Sequence, residues 1–220
     1  VLQAQATGLE NGGGCLMDYG THSLAGMARV FGDKYVPRKV EAVQIATLHP
    51  HRILEGEPFL MQVDDNARVK VMMENVETRS WATVFIEATW CGGHTTLYQP
   101  KPGSQNGGVL EIIGDRGVIS TAERDKLTIK YHTGGVVEIP VLEFEGETIT
   151  IQDEINTFFD AYLAGKDGAL TLEYGALVIA LCGAAYLSQL QGGTAVTPED
   201  FYAFSRQYID KYGDTKEADD

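Results

Sequence analysis

The chain has 220 residues, 44% of them apolar and 22% charged, the balance of an ordinary globular protein able to bury one sizeable core. Its net charge of −14, from 31 acidic and 17 basic residues, excludes the usual nucleic-acid or anionic-membrane partner, since both would repel it. Three widely spaced cysteines, Cys15, Cys91 and Cys182, form no CxxC and fit buried thiols in a reducing cytoplasm, with one disulfide plus a free thiol as the alternative.

The first ten residues carry no pattern, and a start at Val1 rather than Met reads as a piece of a longer polypeptide. No signal peptide or membrane span is apparent. The first patterned stretch is Gly12-Gly13-Gly14, then Cys15-Leu16-Met17, then Asp18-Tyr19-Gly20-Thr21-His22. Three successive glycines open conformations closed to other residues and let another surface approach the backbone. Ser23 to Val30 reads as helix, with Leu24, Met27, Ala28 and Val30 apolar. If that helix has begun by Asp18, a spacing of four puts the Asp18 carboxylate and the His22 imidazole on one face. A carboxylate there can fix the imidazole tautomer and favour its charged form, which suits a general base near neutral pH. The alternative is a capping Asp and a surface His.

Residues 38–48 partly alternate, as a strand with one buried face does, and His49-Pro50-His51 breaks them off. Two histidines beside a proline, without a nearby Cys or acid in phase, read as loop rather than metal site. Ala67 to Asn75 alternates as a strand after the turn-like Asp64-Asp65-Asn66. Ser80 to Cys91 alternates more cleanly. Trp81, Thr83, Phe85, Glu87 and Thr89 share one face, and the wholly apolar Ala82, Val84, Ile86, Ala88 and Trp90 share the other, which should lie on helices. Cys91-Gly92-Gly93-His94 ends it, with His94 either a site contributor or an exposed loop residue. After the loop of Tyr98 to Gly108, short strands are expected at 109–113, 117–121, 126–131 and 136–141. Each glycine cluster joins strand to strand, and no G-x-G-x-x-G runs from strand into helix, so no dinucleotide fingerprint is present.

From Thr150 the period becomes helical, through Ile151, Ile155, Phe158, Phe159 and Tyr162 to a stop at Gly165. Thr171 to Leu190 is a second helix, apolar around most of its girth and so expected to pack on several sides. Its most apolar part, Gly175 to Leu187, is short for a membrane span and reads as a core helix. Thr197-Pro198-Glu199-Asp200 opens a third helix with a capping hydroxyl, Pro at the first position and acids in the first turn. One helix, a run of strands and three helices do not alternate β with α. The expected fold is α+β, a mainly antiparallel open sheet with helices packed on one face, in a single domain over 1–212 followed by an acidic tail over 213–220.

Gly-Gly-Gly-x-Leu-x-Asp-x-Gly-x-His, followed by an apolar helix ending in Phe31-Gly32-Asp33, resembles the second domain of the glucose–fructose oxidoreductase and inositol dehydrogenase (Gfo/Idh/MocA) family. Gly108 to Ile119 is similar to that family's paired strands around a Gly-x-x-Gly turn, and Phe158 to Ser188 to its closing helices. The resemblance covers roughly residues 10 to 205. It implies a substrate-binding and oligomerisation domain of an oxidoreductase acting on a sugar, polyol or related hydroxy compound. His22 would take the proton from the substrate hydroxyl and Asp18 would orient it, while Gly14, Tyr19, Thr21 and His94 would line the substrate. NAD or NADP would be held by an N-terminal Rossmann domain, which these residues lack together with its Glu-Lys-Pro motif. This chain alone is therefore expected to bind no dinucleotide well, to hold no metal and to form a homo-oligomer through the open sheet face. Alternatives are a free-standing non-catalytic binding or assembly domain, or part of an NAD-dependent glycosidase of the same family.

Overall fold

The computed structural model describes residues 12–54, 56–91, 111–121, 126–140, 151–166, 168 and 171–212. They fall into two compact units, Val1–Leu97 with Leu172–Asp220, and Tyr98–Thr171.

In the first unit a π-helical turn, Leu16–Gly20, runs straight into helix α1, Thr21–Phe31. The helix has thus begun by Asp18. Strand β1 is Tyr35–Ala46, the short hairpin strands β2 and β3 are His51–Leu54 and Glu57–Leu60, and β4 and β5 are Asn66–Asn75 and Trp81–Thr89. Helices α3, Leu172–Leu190, and α4, Pro198–Tyr212, complete the unit. Helix α2, Ile151–Leu163, belongs to the second unit.

Strands β1, β4 and β5 form an antiparallel sheet in the order β1-β4-β5. The register pairs Val40 with Val71 and Ala42 with Val69 on one side, and Val69 with Ile86 and Val71 with Val84 on the other. One face is therefore apolar across all three strands. It meets Leu16, Leu24, Met27, Val178, Leu181, Cys182, Ala184, Ala185 and Leu187 in one buried core. Helix α3 is apolar nearly all round, and its second half, Ala180 to Ser188, is buried apart from half-buried Tyr186. Its composition and length would also suit a membrane span, yet half of the qualifying window is buried inside the protein.

At Gly183 a Cβ would stand 2.2 Å from the Phe201 ring, so the missing side chain is what lets α4 lie on α3. The start of α4 is fixed by reciprocal bonds: the Asp200 amide donates to Thr197 Oγ1 at 3.0 Å, and the Thr197 amide donates to Asp200 Oδ2 at 2.8 Å. This is a capping box with Asp in place of Glu.

The other face of the sheet is mixed. Ion pairs Arg68–Glu87 and Lys70–Glu41, both 2.7 Å, lie beside exposed Trp81, Phe85 and Val43. The alternation read from residues 80–91 thus holds in detail: Ile86 and Ala88 are buried, while Trp81 and Phe85 face outward.

The second unit contains a four-stranded antiparallel sheet of β6, Glu111–Ile113, β7, Gly117–Ser120, β8, Lys126–Tyr131, and β9, Val136–Pro140. Helix α2, Ile151–Leu163, follows, and Gly165 at φ 63° closes it. Gly134, at φ 100°, makes the β8–β9 turn. All strand pairs are antiparallel, as the order of elements predicts, but the described strands make three sheets rather than one. The β2–β3 hairpin was not legible: His51, expected in a loop, begins a strand.

Candidate active site

The Gly12-Gly13-Gly14 stretch leads into the π turn, and its glycines are required by what crosses them. Gly14 is buried, and a Cβ there would lie 1.9 Å from the Asp64 carbonyl oxygen. That close approach lets one aspartate hold the whole start of the helix. The amide of Gly14 donates to Asp64 Oδ1 at 3.0 Å and the amide of Leu16 to Asp64 Oδ2 at 3.0 Å. The Cys15 amide donates to the Asp64 carbonyl at 2.8 Å, and its thiol to Oδ2 at 3.3 Å. Tyr186, from α3, donates its hydroxyl to Oδ1 at 2.7 Å. Burial beside this carboxylate pushes the Cys15 thiol and the Tyr186 phenol up, so both remain protonated donors. A helix start normally leaves its first amides unpaired. Here a carboxylate some fifty residues along the chain satisfies them and complements the positive helix end.

The held turn presents Asp18, Tyr19 and His22 on the outside, all exposed. Asp18 and His22 stand one turn apart, and no hydrogen bond or ion pair joins their side chains. Each is thus open to a third group. Thr21 is half-buried and donates to the Asp18 carbonyl at 2.7 Å, a bond within the helix. Tyr19, at 53% exposure, has its ring in solvent. Gly14 differs from these: its amide is consumed by Asp64 and, at 3.3 Å, by the Tyr186 oxygen. His94 lies outside the described residues. Asp64 and Tyr186 were missed in the sequence. The Asp64-Asp65-Asn66 run reads there as a turn, and nothing local ties either residue to the glycines.

A second cluster sits where β1 and β5 end. His49, Asp65 and Cys91 bring possible ligand atoms within 4.8 Å of one another. The fully buried Asp65 is already occupied, however. It accepts the amides of Leu48 at 2.6 Å and His49 at 2.9 Å, and the Arg52 guanidinium at 2.6 Å. Burial alone would raise its pKa, but these donors outweigh it and hold the carboxyl below its ordinary value. Burial likewise pushes the Cys91 thiol up, away from the thiolate a metal needs. The positive charge at this carboxylate comes from Arg52, and the cluster reads as the clasp that fixes the β1–β2 turn.

A dinucleotide fits the described residues poorly. The helix start is the natural place for a phosphate, but its amides are taken by an anionic carboxylate that would also repel one.

No protein-family model matches the sequence, and neither does any curated protein. Solved structures do. An oxidoreductase domain protein from Kribbella flavida superposes with a TM-score of 0.63 at 18% identity, over 85% of this chain and 52% of that one. An inositol dehydrogenase homolog from Azotobacter vinelandii, in complex with NADH and myo-inositol, gives 0.51 at 14% identity, over 82% and 48%. The fold is that of the Gfo/Idh/MocA-type oxidoreductases. The chain spans about half the length of the solved structures it matches. The same Gfo/Idh/MocA-type fold also occurs in the transcriptional regulator Gal80p of Kluyveromyces lactis, with a TM-score of 0.59 at 10% identity, over 89% and 48%. At these identities the likeness is one of fold.

Proposed function

We propose that this chain is the substrate-binding and oligomerisation part of an NAD(P)-dependent oxidoreductase acting on a sugar, polyol or related hydroxy compound. The observation that carries the reading is the exposed Asp18–His22 pair on a helix start clamped from below, in a fold shared with oxidoreductases. His22 takes the proton from the substrate hydroxyl as its carbon is oxidised, and Asp18 orients the imidazole or hydrogen-bonds the substrate. Tyr19, with its exposed ring, and Thr21 border the substrate. Gly14 serves by admitting Asp64, and His94 is a further candidate for lining the substrate. The nicotinamide cofactor is brought by a separate nucleotide-binding domain. Assembly into a homo-oligomer proceeds through the sheet face bearing Trp81 and Phe85, because exposed aromatics in such a patch favour cover.

The test is an assay of the intact polypeptide that carries this chain, with NAD and NADP, against a panel of sugars, polyols and hydroxy acids, following formation of the reduced nicotinamide. Turnover that disappears in His22→Ala supports the reading. Turnover unaffected by that substitution overturns it.

A second reading is favoured by the likeness to Gal80p, a transcriptional regulator on the same fold. In it the chain is a binding or assembly domain without chemistry. Dinucleotide binding by the intact polypeptide with no oxidation of any panel member would support it.

A further inference from the structure

We propose that Asp64 and Tyr186 are positioning residues for the Asp18–His22 pair. The proposal rests on the reading that these two groups work together on one substrate. A helix start exposed to solvent frays, because its first amides lack partners. This one must do the opposite if two side chains one turn apart are to meet a single hydroxyl, since a misplacement of about 1 Å costs on the order of 10²-fold in rate. The turn is also π-helical over Leu16–Gly20, a rare geometry that occurs mostly as single turns and frequently at functional sites.

What holds it is visible. Both carboxylate oxygens of Asp64 accept helix-start amides, one from Gly14 and one from Leu16, each at 3.0 Å. The Tyr186 hydroxyl, at 2.7 Å from Oδ1, sets the rotation of that carboxylate from the buried second half of α3. The far end of the segment is tied separately, by Leu24 and Met27 in the core and by a hydrogen bond from the Tyr174 hydroxyl to the Ala25 carbonyl. The π turn, with Asp18 and the residues leading to His22, is thus suspended between two fixed points. Buried Asp64 and half-buried Tyr186 form the first of them.

The test reads the communication between the two exposed groups by NMR of the His22 ring in the full 220-residue chain. The ring resonance is compared with and without Asp18→Asn, in the wild-type background and in Tyr186→Phe, which removes one hydroxyl and keeps the packing. Asp64→Asn is the harsher variant, and Tyr186→Phe keeps the test open if that one fails to fold. The expected result is that Asp18→Asn shifts the His22 resonance in the wild type and that the shift falls by half or more in Tyr186→Phe. Amide exchange on β4 should stay unchanged, since a general loosening would raise it too. An Asp18→Asn shift of equal size in both backgrounds overturns the positioning role while leaving the pair intact. No shift in the wild type overturns the pair, and the positioning role with it.

Discussion

At the scale of single residues, the groups proposed to act are exposed and the groups that hold are buried. His22 is exposed, so His22→Ala should leave the melting temperature nearly unchanged, and as the proposed base its loss should lower turnover of the intact polypeptide by about 10²–10⁴-fold. A melting temperature and a turnover number from one preparation check both halves. Gly14 is the converse case. A methyl 1.9 Å from the Asp64 carbonyl must push backbone against backbone, so Gly14→Ala should cost about 3 kcal/mol, the upper part of the overpacking range, in urea unfolding. Asp65 supplies a pH signature. Its folded-state pKa lies below its unfolded value of about 3.9, so its contribution is present above that pH and lost as pH falls through the folded value. Asp65→Asn should therefore be less stable at neutral pH, by about 3 kcal/mol for an opened buried pair, and should lose less than wild type below about pH 4. Thermal melts across that window decide it, and a parallel acid limb in both proteins would count against the assignment.

At the scale of elements, the alternation of Ser80 to Cys91 and the helical period of Thr171 to Leu190 were legible because each is a local pattern set by one buried face or by burial all round. The Asp18–His22 spacing was legible for the same reason. The β2–β3 hairpin was not, since His51 to Leu60 offers no alternation and its strands gain their order from Arg52 reaching Asp65. Nor was the Asp64 clamp, whose partners lie about fifty and over a hundred residues away and leave no period to detect. One sheet was expected where the described strands make three, because a list of strands does not say which edges meet. The contact between α3 and α4 is testable on these terms. Gly183→Ala should destabilise by about 2 kcal/mol through the Phe201 ring, and Phe201→Leu should recover part of that loss in the double variant. Additive losses would show that the two residues do not share the contact.

At the scale of the whole molecule, the proposed association runs through the open sheet face. Phe85, 66% exposed, is framed by Arg68–Glu87 and Lys70–Glu41, an apolar centre with a polar rim. Phe85→Lys should convert the assembly to monomer by light scattering without lowering the melting temperature of the monomer. An unchanged mass would place the interface elsewhere. The outer edge of β1 carries a different consequence. Val40 exchanges two backbone hydrogen bonds with Val196, at 2.8 and 2.9 Å, and the Ala42 amide donates to Ser188 Oγ at 2.9 Å. The middle of that edge is thus closed by residues that leave the ribosome some 150 positions later. Throughout most of synthesis β1 offers free amides and carbonyls to any passing strand. A nascent chain stalled or cleaved before Ser188 would carry that sticky margin permanently, so a stretch made long after β1 is what turns an aggregation-prone edge into a closed one.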